Sequence, residues 1–262
     1  MRGALAVGFV AAAVLTGAAR AGAWTLDGGQ LQMFSGTTLS RATHGFDAAG
    51  RPSDAVLFRK LFVQNRVEYG LTDAVTLFVS PEYVVADSYA AGGSPTHART
   101  GAVEAGGRIL LLSRIGMLSI QASGKTAGAF DMSVSAGKAY GSQVELRLLY
   151  GNSFKLFGRD GFYDVEAAER WIRRPRPNEM TVDATAGLWV RRATLAMVQS
   201  FNTVSGSGAK PPYAYYRMHK LELSVVERLT ANWSLQLGGF LSPAGQHVVK
   251  EQGLVTGIWY RF

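Results

Sequence analysis

Thirteen ionisable side chains, Arg66, Glu68, Glu82, Glu104, Arg108, Glu145, Arg147, Asp164, Glu166, Arg170, Asp183, Lys220 and Glu222, recur in segments where every second residue is apolar. Two kinds of chemistry suit mixed charge at that spacing. Groups lining a hydrated path would select what passes by its charge, whereas the same groups joined across strands would fill a narrow interior with ion pairs. Catalysis asks for more. A serine nucleophile needs a histidine base within reach, but none of His44, His97, His219 and His247 stands near a GxSxG elbow, and three of the four fall in expected outer loops. The chain also lacks HExxH, clustered metal-ligand spacing and a phosphate-cradling glycine loop. No catalytic residue, metal or cofactor is expected, and the sequence reads as a non-enzyme.

The elements that carry these charges are strands. In "FVQNRVEYG", Leu61, Val63, Val67 and Tyr69 share one face while Lys60, Gln64, Arg66 and Glu68 share the other. "AVTLFVSPEYVV" repeats the pattern after the tight turn "GLTD", and so do "TGAVEAGGRILLL", "MLSIQASGK", "SQVELRLLY", "GFYDVEAAERW", "MTVDATAGLWV", "TLAMVQSFN", "YYRMHKLELSVVE" and "WSLQLGGFL". With "GQLQMFSGTTLS" and the final segment the total is about twelve, within two, because "GNSFKLFGRDG" is long for a tight turn. Short connections ("GLTD", "SRIG", "VRRA", "LTAN") take turns with longer polar ones ("RATHGFDAAGRPSD", "DSYAAGGSPTHA", "SGSGAKPPYAY").

Composition narrows the setting. Arg2, an apolar stretch and the small-x-small triplet Ala21-Gly22-Ala23 read as an export signal over residues 1–23, leaving a single domain over 24–262. Loss of Arg2 and Arg20 with that signal lowers the net charge of +8 by two, and the remaining excess is scattered. Nucleic-acid binding is therefore not expected. There is no cysteine, so an oxidising destination adds no disulfides. After residue 23 no apolar run reaches the roughly 18 residues that a membrane helix needs.

Alternating strands, short turns at one end with the termini and long loops at the other, describe a closed antiparallel transmembrane β-barrel of the Gram-negative outer membrane. Closure is required because in lipid every strand must complete its backbone hydrogen bonds. The thirteen charges then face the lumen, since Arg or Lys against lipid near the midplane costs about 2–4 kcal/mol. Counting back from Phe262, the residues Tyr260, Ile258, Thr256 and Leu254 share the lipid face, and the neighbour of this last strand is the strand near Gln30 to Ser40. Leu254, Ile258, Tyr260 and Phe262 resemble the terminal signal that barrels present to their insertion machinery, which is thus an expected partner.

Tyr69, Tyr83, Tyr150, Tyr163, Trp171, Trp189, Tyr213, Tyr215, Trp233 and Tyr260 sit near strand ends, where amphipathic rings form girdles at the headgroups. Trp189 and Trp259 fall in the inward phase and could also offer stacking surfaces to sugars. Arg217 and His219 lie in the lipid-facing phase, and Arg173, Arg174 and Arg176 crowd one loop; at the outer leaflet such cations meet lipid and lipopolysaccharide or are simply solvated.

Several segments carry a family likeness. "VEYGLTDAVTLFVSPEY" resembles a hairpin of outer-membrane barrels named after the meta-pathway of phenol degradation, and "GAWTL", "ELRLLYGNSFKLFGRDGFYDVEAAERW", "QSFNTVSG" and "YRMHKLELSVVERLTANWSLQLGGF" resemble the XagA-like outer-membrane proteins. The second resemblance implies a conduit for export of a surface polysaccharide, linked to cell aggregation and biofilm, with a polysaccharide synthesis and export complex as a partner. It transfers no catalytic residue. Two further readings stay open: an uptake channel for small aromatic or hydrophobic solutes, and a non-conducting structural or adhesive barrel. Glu169 in "YDVEAAERW" takes the lipid-facing phase, which leaves the register of that strand to be tested.

Overall fold

The structure, a computed structural model, describes residues 22–90, 96–127, 141–174, 176–206, 208 and 215–262. Apart from Gly22 and Ala23, the expected export signal lies outside the described residues, as does Tyr213. The chain runs through β1 (Leu31–Phe46), β2 (Pro52–Thr72), β3 (Val75–Ala90), β4 (Thr96–Leu112), β5 (Met117–Lys125), β6 (Gln143–Leu156), β7 (Arg159–Ile172), β8 (Glu179–Trp189), β9 (Thr194–Ser205), β10 (Arg217–Arg228), β11 (Trp233–Gln246), β12 (Val248–Val249) and β13 (Gln252–Arg261). Each strand up to β11 pairs antiparallel with the next, β11 pairs with β13, and β1 pairs with both β2 and β13. The sheet therefore closes. β12 and β13 both lie along β1 and together occupy one place in the wall, so the barrel has twelve strand positions, interrupted in the last at Lys250–Glu251.

Closure leaves no free strand edge, which is what makes the form viable in lipid. The register Phe34↔Trp259, Gly36↔Gly257 and Thr38↔Val255 sends one residue of every two inward. The outward residues are those a soluble protein would hide, among them Leu223, Leu237, Leu254 and Met180, all more than half exposed. Exposed apolar side chains all round the wall form a band suited to hydrocarbon. Leu223→Arg, midway along β10, should therefore cost about 2–4 kcal/mol, measured as a shift in the urea midpoint of liposome-inserted barrels; an unchanged midpoint would place that face out of lipid.

At the end that holds both termini, connections take two to four residues: 73–74, 113–116, 157–158, 190–193 and 229–232. By the usual asymmetry of such barrels this is the periplasmic end. "GNSFKLFGRDG", read above as a long connection, is instead two paired strand ends closed by Phe157-Gly158, with Lys155↔Asp160 and Leu156↔Arg159 in register. Both turn residues have positive φ, 50° and 73°, the left-handed pair that matches the twist of the flanking strands. The turn thus removes the doubt over strand number.

The outer connections are shorter than their polar composition suggests, because strands carry on past the lipid. Of "RATHGFDAAGRPSD" only residues 47–51 lie outside β1 and β2. The turn is closed by Asp47, whose Oδ1 accepts from the backbone N–H groups of Arg51 and Ala49 at 2.8 Å each, and these bonds hold its carboxyl below the usual carboxylate range. His44 and His97 accordingly sit on strand extensions rather than in loops. Glu169 keeps its outward phase, between Leu146 and Met180 at the outer end of β7, so the strand register is the one the alternation gives.

Candidate functional site

The barrel encloses a cavity of about 620 Å³. All thirteen lumen candidates named above line it, from Arg66 on β2 round to Glu222 on β10. Their side chains are largely tied to one another.

The inner half is occupied by the segment that precedes β1. Trp24 is 6% exposed and packs with Ala23 and Leu149, and its ring meets Phe162 edge-on at 5.8 Å. Polar bonds fix the same segment to the wall. The Arg108 guanidinium donates to the Trp24 carbonyl at 2.6 Å, Ser119 Oγ to the Ala23 carbonyl at 2.5 Å, and the Leu26 N–H to Thr76 Oγ1 at 2.8 Å. Two wall glycines make room: a Cβ on Gly151 would fall 2.7 Å from the Trp24 ring, and one on Gly70 would fall 2.1 Å from the Asp27 carbonyl oxygen. Any larger residue there would push the segment away from the wall. Alternation could not reveal this plug, because residues 22–30 form no strand.

Beyond it the charges form groups. Glu68 accepts from Arg66 at 2.7 Å and Arg108 at 3.2 Å, while both arginines also reach Gln121. Arg66 stacks its guanidinium 3.8 Å over the Phe78 ring. Arg147 joins Glu145 at 2.7 Å, Glu166 at 2.5 Å and Asp183 at 3.0 Å, tying β6, β7 and β8 together. Arg170 continues that lattice from Glu145 (2.8 Å) to Glu179 (2.9 Å), which Arg176 and the Tyr216 hydroxyl also contact. Lys125 pairs with Glu82, which also accepts from Gln64 at 3.0 Å. Lys60 and Lys220 each reach Glu251 at 2.7 Å, and Ser40 donates to the same carboxylate. Glu222 accepts from Gln236, whose carbonyl takes the indole N–H of Trp259 at 3.2 Å. Glu104 lines the cavity from β4.

The charges are not spread evenly. Strands β2 to β8 carry most of them, while the opposite wall presents Phe34, Phe201, Phe240, Met197, Met218 and Trp259. Phe34 and Trp259 pack as a tilted pair with centroids 4.4 Å apart. The lumen is therefore amphipathic across its width. Of the two tryptophans with inward phase, Trp259 reaches the cavity, while Trp189 lies at the periplasmic rim under the Arg228 guanidinium, 5.0 Å from its ring.

Sequence reasoning missed Glu179, Arg176 and Glu251. Glu179 and Glu251 continue the inward phase of Asp183 and Trp259, so extending each alternation a few residues would have found them. Arg176, read above with its loop neighbours, is 4% exposed and turned inward. Arg217 and His219 keep the outward phase and bond to Gln246 (3.0 Å) and Asn202. Leu254, Ile258 and Phe262 face outward at the chain's end, where Tyr260 packs between Trp233 and Phe262 at 4.4 and 4.5 Å.

Neither a family model nor a curated protein sequence matches this chain. Solved structures do. An outer-membrane channel from Pseudomonas putida F1 superposes with a TM-score of 0.72 at 14% identity, over 94% of this chain and 100% of that one. The chain has the fold of an outer-membrane β-barrel. The translocator domain of the autotransporter NalP from Neisseria meningitidis follows at 0.56 and 10% identity, over 90% of each chain. The β-domain of the Bordetella autotransporter BrkA gives 0.54 at 12%, over 90% of this chain and 100% of that one. Likeness across channel and translocator barrels, with an outward apolar band on a closed sheet, makes this an integral outer-membrane protein.

Proposed function

We propose that the barrel passes small amphipathic solutes, an aromatic or hydrophobic body carrying a polar group, across the outer membrane. The observation that carries this reading is the division of the cavity wall. One side offers Phe34, Phe240, Met197, Met218 and Trp259, and the other offers the Arg147 and Glu68 ion-pair groups. A cavity of about 620 Å³ has room for one such molecule, being within the order of 300–1,000 Å³ of pockets that bind drug-sized ligands, and it is more heavily charged than most of them. The Trp24 segment narrows the inner half from the side of β3 to β7, so its displacement would widen the path. Likeness of fold to a Pseudomonas channel, over the whole of that chain, supports a conducting role.

Export of a surface polysaccharide, the function the XagA-like resemblance implies, would need a continuous bore along which sugar rings slide. The docked Trp24 and the Arg147 lattice both stand on one side of that route and narrow it, which supports the smaller cargo. Liposome swelling distinguishes the readings. Proteoliposomes should admit an aromatic carboxylate faster than a neutral sugar of equal mass. Equal rates would remove the amphipathic reading, no swelling with any solute would favour a structural barrel, and polymer trapped in the periplasm of a deletion strain would favour export.

A further inference from the structure

We infer that the chain is cut after Ala21, and that the α-ammonium released on Gly22 stays inside the barrel as the counter-ion of Asp164. Asp164 is an acid that its surroundings leave incomplete. It is 2% exposed, its Oδ1 is buried with no hydrogen-bond partner among the described residues, and another acid, Glu166, stands beside it; Thr185 and the more distant charge of Arg108, whose guanidinium is bonded to Glu68 and the Trp24 carbonyl, compensate it only in part. A buried carboxylate without a cation is costly, and one beside a second carboxylate more so. Gly22 lies directly against it: a Cβ built on that glycine would fall 1.8 Å from Asp164 Oδ2. The backbone of residue 22 is thus in contact with the carboxylate, and no side chain fits between them.

Two triplets satisfy the small-x-small rule, Ala19-Arg20-Ala21 and Ala21-Gly22-Ala23. The lumen discriminates between them. Ala23 is fully buried, packs with Trp24 and Leu149, and offers its carbonyl to Ser119 at 2.5 Å. A cut after Ala23 would discard those contacts. It would also create a cation on Trp24, whose carbonyl already holds the Arg108 guanidinium at 2.6 Å, and would leave Asp164 alone. A cut after Ala21 keeps Ala23 in place and sets the new positive charge beside the incompletely compensated negative one. Opposite charges in a poorly solvated site attract strongly, and like charges repel as strongly.

The step is hydrolysis by the signal peptidase of the export pathway. Water is split across the Ala21–Gly22 peptide bond: the carbonyl carbon of Ala21 takes the water oxygen and leaves as the leader's carboxylate, while the Gly22 nitrogen, released from that carbon, takes both water protons and becomes an ammonium. No oxidant or reductant takes part.

Intact mass of barrels purified from outer membranes should correspond to a start at Gly22, one glycine and one alanine heavier than a start at Trp24. In the folded wild type the α-amine should resist an acylating reagent that labels it after unfolding, and in Asp164→Asn it should be labelled while the barrel is still folded, as judged by migration of the unheated sample. A start at Trp24, or a retained leader, overturns the cut. Equal labelling of folded and unfolded wild type overturns the pairing, as does a folded Asp164→Asn whose amine stays protected. The mass and wild-type labelling need no variant, so both parts remain testable if Asp164→Asn does not fold.

Discussion

Replacing Arg108 with alanine should raise the time-averaged single-channel conductance several-fold in planar bilayers. Arg108 is 3% exposed and holds the inner segment from the wall side through the Trp24 carbonyl at 2.6 Å, with Glu68 and Gln121 orienting its guanidinium. A hydrogen bond to a charged group contributes about 1.5–3 kcal/mol. Loss of that much shifts the balance between docked and undocked segment by roughly ten- to over a hundredfold. Arg66→Ala is the matched control: it also removes a lumenal cation beside Glu68, but Arg66 makes its bonds to Glu68 and Gln121 rather than to the segment. Both variants should shift selectivity towards cations, and only Arg108→Ala should raise the open fraction. If the two conduct alike, the effect is one of charge, and the Trp24 segment is no barrier.

The ease of displacing the inner segment follows from how it is held. Hydrophobic contacts with Leu149 and Phe162 and four polar bonds, the fourth from the Thr25 hydroxyl to the Asp73 carbonyl, act on five residues, Gly22 to Leu26, joined to β1 by the turn that Asp73 secures through its carboxylate to the Gly28 N–H. The attachment is a set of separable contacts rather than a strand ladder. Such a segment can leave the wall without unfolding the barrel, and local openings of this kind lie well below global unfolding in free energy. A solute with an apolar body could replace Trp24 against Phe162 and Leu149, exchanging one aromatic contact for another.

What alternation makes legible is the wall. The two-residue period fixes which side of each strand meets lipid, so the strand number and the lumenal placement of residues as distant as Arg66 and Glu222 follow from it. Ion-pair partners do not follow. Arg147 meets Glu145 two residues away on its own strand, Glu166 across one strand boundary and Asp183 across two, and that choice depends on side-chain reach and on inward curvature that draws neighbouring strands together. The Phe157-Gly158 turn was obscured because turn chemistry favours asparagine or aspartate where phenylalanine stands. Residues 22–30 were obscured for a deeper reason: nothing periodic marks a segment whose fold is dictated by the cavity it fills.

Glu251→Ala should be among the most destabilising single changes in the wall, costing about 3–5 kcal/mol as the loss of one partner from a buried charge cluster. Glu251 sits at the interruption between β12 and β13 and is 1% exposed, with Lys60 and Lys220 each 2.7 Å away and only 5% and 12% of their side chains exposed. Its removal leaves two ammonium groups facing each other with little water to screen them. The same residue fixes the interruption through its backbone, accepting from the Ser242 N–H at 2.7 Å while its own N–H bonds the Val249 carbonyl at 3.0 Å. Glu251→Gln retains the shape and an acceptor for Ser40, and should lose only part of the stability. The decisive comparison is a triple variant in which Glu251, Lys60 and Lys220 all become neutral residues of similar volume. If charge is the cause, the triple variant should unfold at higher urea than Glu251→Ala, because the two like charges that faced Glu251 are gone as well. If it unfolds no later, the cost comes from the backbone interruption itself, and the three charges only occupy space in the lumen.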